Sequence, residues 1–117
     1  MPSTIRGSDN FDTAGGNAVK AWVNFNGTGT VAIRASFNVS SITDNGTGDY
    51  TVNFATALAD ANYSSALAAS DIAYGTVPYI YTTATILTTS CRFQNRGNEG
   101  TNPILRDVDV FCAAIFR

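Results

Sequence analysis

The side chains best suited to chemistry in this sequence are nine carboxylates, two thiols, five tyrosines and one tryptophan; histidine is absent. Without histidine, the commonest general base near neutral pH and the commonest metal ligand are both missing. Asp107 and Asp109 stand two apart and would share one face of a strand. A carboxylate pair of glycosidase type needs such a placement, but the same spacing marks a solvated strand edge, which is the reading preferred here. Asp44, Asn45 and Asp49 crowd a turn and offer oxygen to a hard cation such as calcium. No EF-hand spacing accompanies them, and Asp and Asn in such turns ordinarily serve the turn itself. Cys91 and Cys112 are too few and too far apart for a zinc site of their own. No glycine-rich phosphate loop of the dinucleotide or nucleotide-triphosphate type is present. No catalytic, cofactor-binding or metal-binding residue is assigned, and the chain reads as a non-enzyme.

The aromatic residues remain. Trp22, Tyr74, Tyr79 and Tyr81 fall at positions expected to be exposed. They could stack on a sugar, or fill a core or a subunit interface, where Tyr and Trp are enriched. The interface reading is the preferred one.

The elements that would position these groups are strands. In residues 17–26, Val19, Ala21, Val23 and Phe25 alternate with Lys20, Trp22, Asn24 and Asn26, the period-2 pattern of a half-buried strand. Trp22 stands on the polar side. Asn26-Gly27 then signals a hairpin, because both residues tolerate positive φ. In the next run Val31, Ile33, Ala35, Phe37 and Val39 form an expected core face. A second turn, Asp44 to Gly48, leads to Tyr50, Val52 and Phe54. Three strands joined by tight turns predict an antiparallel meander.

Residues 55–61 (ATALADA) predict a connection with a 3₁₀ turn, and residues 62–70 a weaker strand. Residues 77–89 are β-branched and aromatic, as two strands or one bent strand, with Pro78 demoting its start to an edge or a strand beginning. The last strands are expected at 90–95 and 105–117, joined by the loop Arg96–Pro103. Pairing of these two as a hairpin would bring Cys91 near Cys112, although buried free thiols are the preferred state. From Val110 onward the terminal strand is apolar on both sides, which predicts a central strand or one ending in an interface.

The length of 117 residues fits one domain. Residues 1–16 break all periodicity and are expected to form a short extended arm, with Ile5 and Phe11 as its docking anchors; residues 17–117 form the domain. The predicted architecture is all-β, an antiparallel sandwich of jelly-roll-like kind. Charged residues make up 14% of the chain, well below the roughly 25% of ordinary soluble domains, as suits a surface that meets other protein. Net charge is −2 and the arginines are scattered, so nucleic acid is not an expected partner. No apolar run is long enough for a membrane helix, and the N-terminus lacks a signal-peptide core. Synthesis in a cytosol is expected.

The stretch Lys20 to Phe54, KAWVNFNGTGTVAIRASFNVSSITDNGTGDYTVNF, followed by ATALADANYS, resembles a module of tail-fibre and related virion structural proteins of tailed bacteriophages, including phages of cyanobacteria and other aquatic bacteria. Trp22, Asn24, Phe25, Asn26, Gly27, Asn38, Ser41, Ile42, Asp44, Gly46, Gly48, Tyr50 and Phe54 carry the resemblance, which covers residues 20–64. It implies a viral structural protein, assembled in the host cytoplasm into the virion, with no catalytic residues and no cofactor. A short tail fibre or baseplate-attached fibre, homotrimeric and contributing to host attachment, is the implied role. Its implied partners are itself, other tail or baseplate proteins, and a host surface glycan or protein. A capsid decoration protein and a free carbohydrate-binding module are the alternatives. In larger proteins the module sits at the C-terminus, whereas here only the short arm precedes it, which implies a compact component. Specificity is expected in the loops Asp71–Thr76 and Arg96–Pro103, outside the resembling stretch.

Overall fold

Period-2 alternation is carried through into two antiparallel sheets packed face to face. The computed structural model describes residues 19–70, 75–99 and 102–117. Its strands are β1 (Val19–Asn26), β2 (Ala32–Phe37), β3 (Val39–Gly46), β4 (Asp49–Phe54), β5 (Ser64–Ala69), β6 (Thr76–Ile80), β7 (Ser90–Glu99), β8 (Asn102–Leu105) and β9 (Phe111–Phe116). The first sheet has the order β2-β1-β9-β5; the second has β3-β4-β7-β6, with β8 also on β7. All these pairings are antiparallel. The chain is thus an all-β sandwich. The arm, with Ile5 and Phe11, lies outside the described residues.

The core follows the inward halves of the central strands. Ala21, Val23 and Phe25 of β1 and Phe111, Ala113 and Ile115 of β9 face Tyr50, Val52 and Phe54 of β4 and Cys91 and Phe93 of β7. Phe25 meets Tyr50 edge-on at 5.1 Å between centroids and stacks on Phe111 at 5.2 Å, separations in the favourable range for aromatic pairs. The terminal strand is central, as expected, between β1 and β5.

The expected three-strand meander does not form. The run from Val31 to Ser40 divides at Asn38, so the β1–β2 hairpin lies in one sheet and the β3–β4 hairpin in the other. Asn38 has φ 54°, in the left-handed region that Asn tolerates better than other side-chain-bearing residues. Its Nδ2 donates to Lys20 O (3.0 Å) and Thr56 O (3.1 Å), and its Oδ1 accepts from Thr56 N (2.7 Å). One amide therefore closes the corner between strands of both sheets.

This corner also changes the expected core face. All six residues of β2 are exposed, because β2 is an outer edge strand. Phe37 is 53% exposed, and of the five expected core positions only Val31 and Val39, at the ends of the run, pack on the core. Pro78 sits in edge strand β6, as anticipated. The 3₁₀ turn among the described residues is at Thr83–Thr85 rather than in residues 55–61.

The last two expected strands are not hairpin partners. β7 extends to Glu99 and turns into β8, and β9 belongs to the other sheet. Cys91 points into the core from the second sheet, while Cys112 lies on the outward side of the first, and both are free thiols. Topology, not strain, keeps them apart.

Asn38→Ala is expected to cost about 3 kcal/mol of unfolding free energy, from about 1–2 kcal/mol of left-handed strain plus the lost hydrogen bonds. Asn38→Gly should recover the strain portion alone. Urea unfolding of both variants tests this; equal losses would remove φ from the account.

Candidate functional site

The sandwich has two outer faces, and their chemistry is opposite. On the first sheet, register places Phe37, Trp22, Ala114 and Ala66 in one row across β2, β1, β9 and β5. Ala35, Asn24, Cys112 and Ala68 form the next row. Small residues on β5 and β9 leave a shallow depression of about 350 Å³, lined by Trp22, Asn24, Ala66, Ala68, Cys112 and Ala114. Val19, Phe37 and Phe116 extend the apolar rim, each about two-fifths or more exposed, as is Trp22. Lys20 and Arg34 are the charged residues of these four strands, and Arg34 Nη1 donates to Asn24 Oδ1 at 3.2 Å. The four strands hold no Asp, Glu or His. The face has the composition of an interface centre, aromatic and depleted of charge.

The outer face of the second sheet is polar. Asn53 Nδ2 bridges Ser41 Oγ and Thr43 Oγ1 of β3, at 3.1 and 2.9 Å. Asn45 Nδ2 donates to Thr51 Oγ1 at 2.8 Å. At the centre, Asp49 receives Arg92 through two parallel bonds: Nε to Oδ1 at 2.8 Å and Nη2 to Oδ2 at 2.6 Å. Gln94 Nε2 adds 2.9 Å to Oδ2, and Asn45 Nδ2 reaches Oδ1 at 3.3 Å. Gln94 Oε1 accepts from the Tyr79 hydroxyl at 2.7 Å, and that hydroxyl accepts from Arg96 Nε at 2.6 Å. The Arg92 guanidinium lies 4.3 Å from the centre of the Tyr81 ring. Asp49 and Gln94 are each only 6% exposed although they point outward from the sheet.

Arg92 first, then Gln94 and Asn45, hold the Asp49 carboxyl below its ordinary value against the opposing effect of burial. Asp49 raises the Arg92 guanidinium in turn. This bridge is geometrically a strong one, since the fork of Arg matches both carboxylate oxygens.

The sequence-expected site residues separate. Tyr79 and Tyr81 share the polar face, and Trp22 stands on the opposite, apolar one. Tyr74 lies outside the described residues, as does most of the loop from Asp71. The expected loop after Arg96 is mostly strand, in β7 and β8. Asp107 and Asp109 are not on a strand: they lie between β8 and β9, where Asp107 Oδ1 accepts from Gly48 N at 2.8 Å and lies 2.9 Å from the Tyr50 hydroxyl. Asp44 serves its own turn by accepting from Gly46 N at 3.0 Å. Among the described residues no group of three or more His, Cys, Asp or Glu is placed to hold a metal ion. Phe37, Val19 and Phe116 were not picked out as interface residues, nor was the Asp49–Arg92–Gln94 network. The alternation Arg92-x-Gln94-x-Arg96 is the signal that could have found the latter.

Asp49→Asn is expected to cost about 2 kcal/mol at pH 7, the scale of a hydrogen-bonded charge. A carboxyl held low by folding contributes stability that is present above its unfolded value of 3.8 and is lost as pH falls below it. The fall in Tm from pH 7 to pH 3 should therefore be smaller in Asp49→Asn than in the wild type. Asp60, lowered to about 2 by exposed Arg117, remains in both and leaves a common residual slope. Parallel melting curves at both pH values would refute the role given to Asp49. In comparisons with known proteins, no family model, no curated protein and no solved structure matches this chain.

Proposed function

We propose that this chain is a non-catalytic structural protein of a tailed-bacteriophage virion, a short tail fibre or baseplate-attached fibre that contributes to host attachment. The observation that carries the assembly part is the apolar outer face of the first sheet. Trp22, Phe37, Val19 and Phe116 surround small side chains there, with no carboxylate in the four strands. Water contact with this surface is costly at about 25 cal/mol per Å², and contiguous apolar patches of this kind mark contact surfaces. The tail-fibre resemblance of Lys20–Phe54 supplies the kind of particle, and the three-fold order of fibres supplies the homotrimer. Three copies would turn this face toward a common axis. The arm, through Ile5 and Phe11, would dock to tail or baseplate protein; β1 begins at Val19, on the rim of the same face.

Sedimentation at micromolar concentration should give three times the 12.3 kDa chain mass. Trp22→Glu should reduce it to a folded monomer, because a buried unpaired charge opposes association. Cys112, in the depression, should react with a maleimide in the Trp22→Glu monomer and be shielded in the assembly. Cys91 stays unreactive in both, since burial removes access and pushes its thiol up. A wild-type chain that is strictly monomeric sinks the assembly reading. Gold-labelled antibody on intact particles places the protein; label on the capsid surface instead of the tail replaces the fibre by a decoration protein.

A further inference from the structure

The polar face offers donors but hardly any free carboxylate. Asp49 is its described carboxylate at the centre, and both of its oxygens are taken, by Arg92, Gln94 and Asn45. Among the described residues, Arg92 bonds through Nε and Nη2 and Arg96 through Nε alone, to Tyr79. Arg96 is exposed. Neutral sugars are gripped by acceptors as much as by donors, whereas this centre has spent its acceptors internally and carries two guanidinium groups against one carboxylate. The complement of such a surface is an anion with planar oxygens, which a guanidinium fork takes in two parallel bonds.

Rigidity points the same way. Arg92 is clamped by Asp49 and stacked on Tyr81; Arg96 is fixed by the Tyr79 hydroxyl, which is itself fixed by Gln94. Long arginines on a sheet surface normally lose rotamer entropy on binding, and here folding has already removed it. Arg92 and Arg96 lie on the same side of β7 four residues apart, about 13 Å along a strand. That span exceeds one monosaccharide and fits charges repeated along a polymer. Tyr79 and Tyr81 flank them with aromatic surface for the C–H faces of sugar rings.

We propose that the outer face of the second sheet binds a carboxylate-bearing polysaccharide, with Arg92 and Arg96 taking carboxylates more than one sugar apart along the chain and Tyr79 and Tyr81 the sugar faces. The inference rests on the attachment role proposed above and names its ligand class; it does not use the assembly face.

The test is binding of the full chain to surfaces carrying polygalacturonate, neutral dextran or heparin. Polygalacturonate should retain the chain, less so as salt rises, and dextran should not. Arg96→Gln should weaken binding about tenfold, the value of one charged hydrogen-bonded contact. Tyr81→Ala should weaken it too. Far-UV circular dichroism shows whether each variant is folded, and Arg96, being exposed, is a safe replacement. Absence of retention on polygalacturonate, equal retention on dextran, retention on heparin alone, or indifference to Arg96→Gln overturns the proposal. A chain that forms trimers yet ignores polygalacturonate loses this inference only; one that binds polygalacturonate as a monomer loses the assembly reading only.

Discussion

Two turns and one tyrosine hydroxyl converge on the segment from Arg106 to Val108, and the sandwich is closed there. Gly27, in the turn between β1 and β2, donates to Val108 O at 2.8 Å, while Gly48, in the turn between β3 and β4, donates to Asp107 Oδ1 at 2.8 Å. The Tyr50 hydroxyl is 2.9 Å from both Asp107 Oδ1 and Gly27 O. Asn95 of β7 receives Arg106 N at 3.0 Å and donates its own N to Gly48 O at 2.8 Å. Hairpins from opposite sheets are thereby fastened to one piece of backbone before β9 enters the middle of the first sheet. Burial first, and the Asp107 carboxylate second, push the Tyr50 hydroxyl well above the usual tyrosine range, so it remains a neutral donor. Neither turn glycine has room for a side chain: a Cβ on Gly48 would lie 2.5 Å from Arg106 N, and one on Gly27 would run into the Tyr50 hydroxyl. The close approach, together with φ 64° at Gly48, is why these positions are glycine.

The sequence is legible where a local rule decides. Alternation in β4, and in β1 from Ala21 onward, marked the inward residues correctly, because a central strand covered on one side must alternate; Val19, expected on the same side, is displaced to the exposed rim by the irregularity before Ala21, and β9, apolar on both sides, gave no inward side to read. The edge role of Pro78 followed from its missing N–H. What stayed hidden depends on contacts far apart in the chain. Asn38 looks like one more polar residue in an alternating run; only its bonds to Lys20 O and Thr56 O turn it into a corner. Alternation alone could not reveal that β2 leaves the core at that corner, so Ile33 and Phe37 were misread as buried. The turns at Asn26-Gly27 and Asp44 to Gly48 were legible as turn chemistry, but that both dock on Arg106–Val108 is a tertiary fact. For the site, Trp22 on the polar side of its strand was visible. Its separation from Tyr79 and Tyr81 was not, since no local pattern says which sheet a strand joins.

Low charge has a structural consequence beyond composition. The four strands of the first sheet carry two cations and no carboxylate, whereas the second sheet pairs Arg92 with a nearly buried aspartate. A nearly buried ion pair is poor evidence for stability, because desolvation offsets much of the attraction. Its geometry nonetheless imposes order: one carboxylate fixes two side chains, and through them two tyrosines, across β4, β7 and β6. The apolar face has no comparable network of bonds among the described residues; its side chains are small or exposed, and covering them lowers their free energy.

The clip at Arg106–Val108 links these two properties. It holds the sheets as one body, so the apolar and polar faces point in opposite directions and cannot be turned together. Any assembly that buries the apolar faces near its axis must present the polar faces outward, one per copy. An open sheet surface grips a single ligand weakly compared with an enclosing pocket. Presented several times on one rigid particle, the same surface gains from effective concentration, by about 10²–10⁴ when a polymer can span the copies. Under the proposed assembly, association through the first sheet would therefore add avidity to ligand binding by the second, without being needed for a single site to bind.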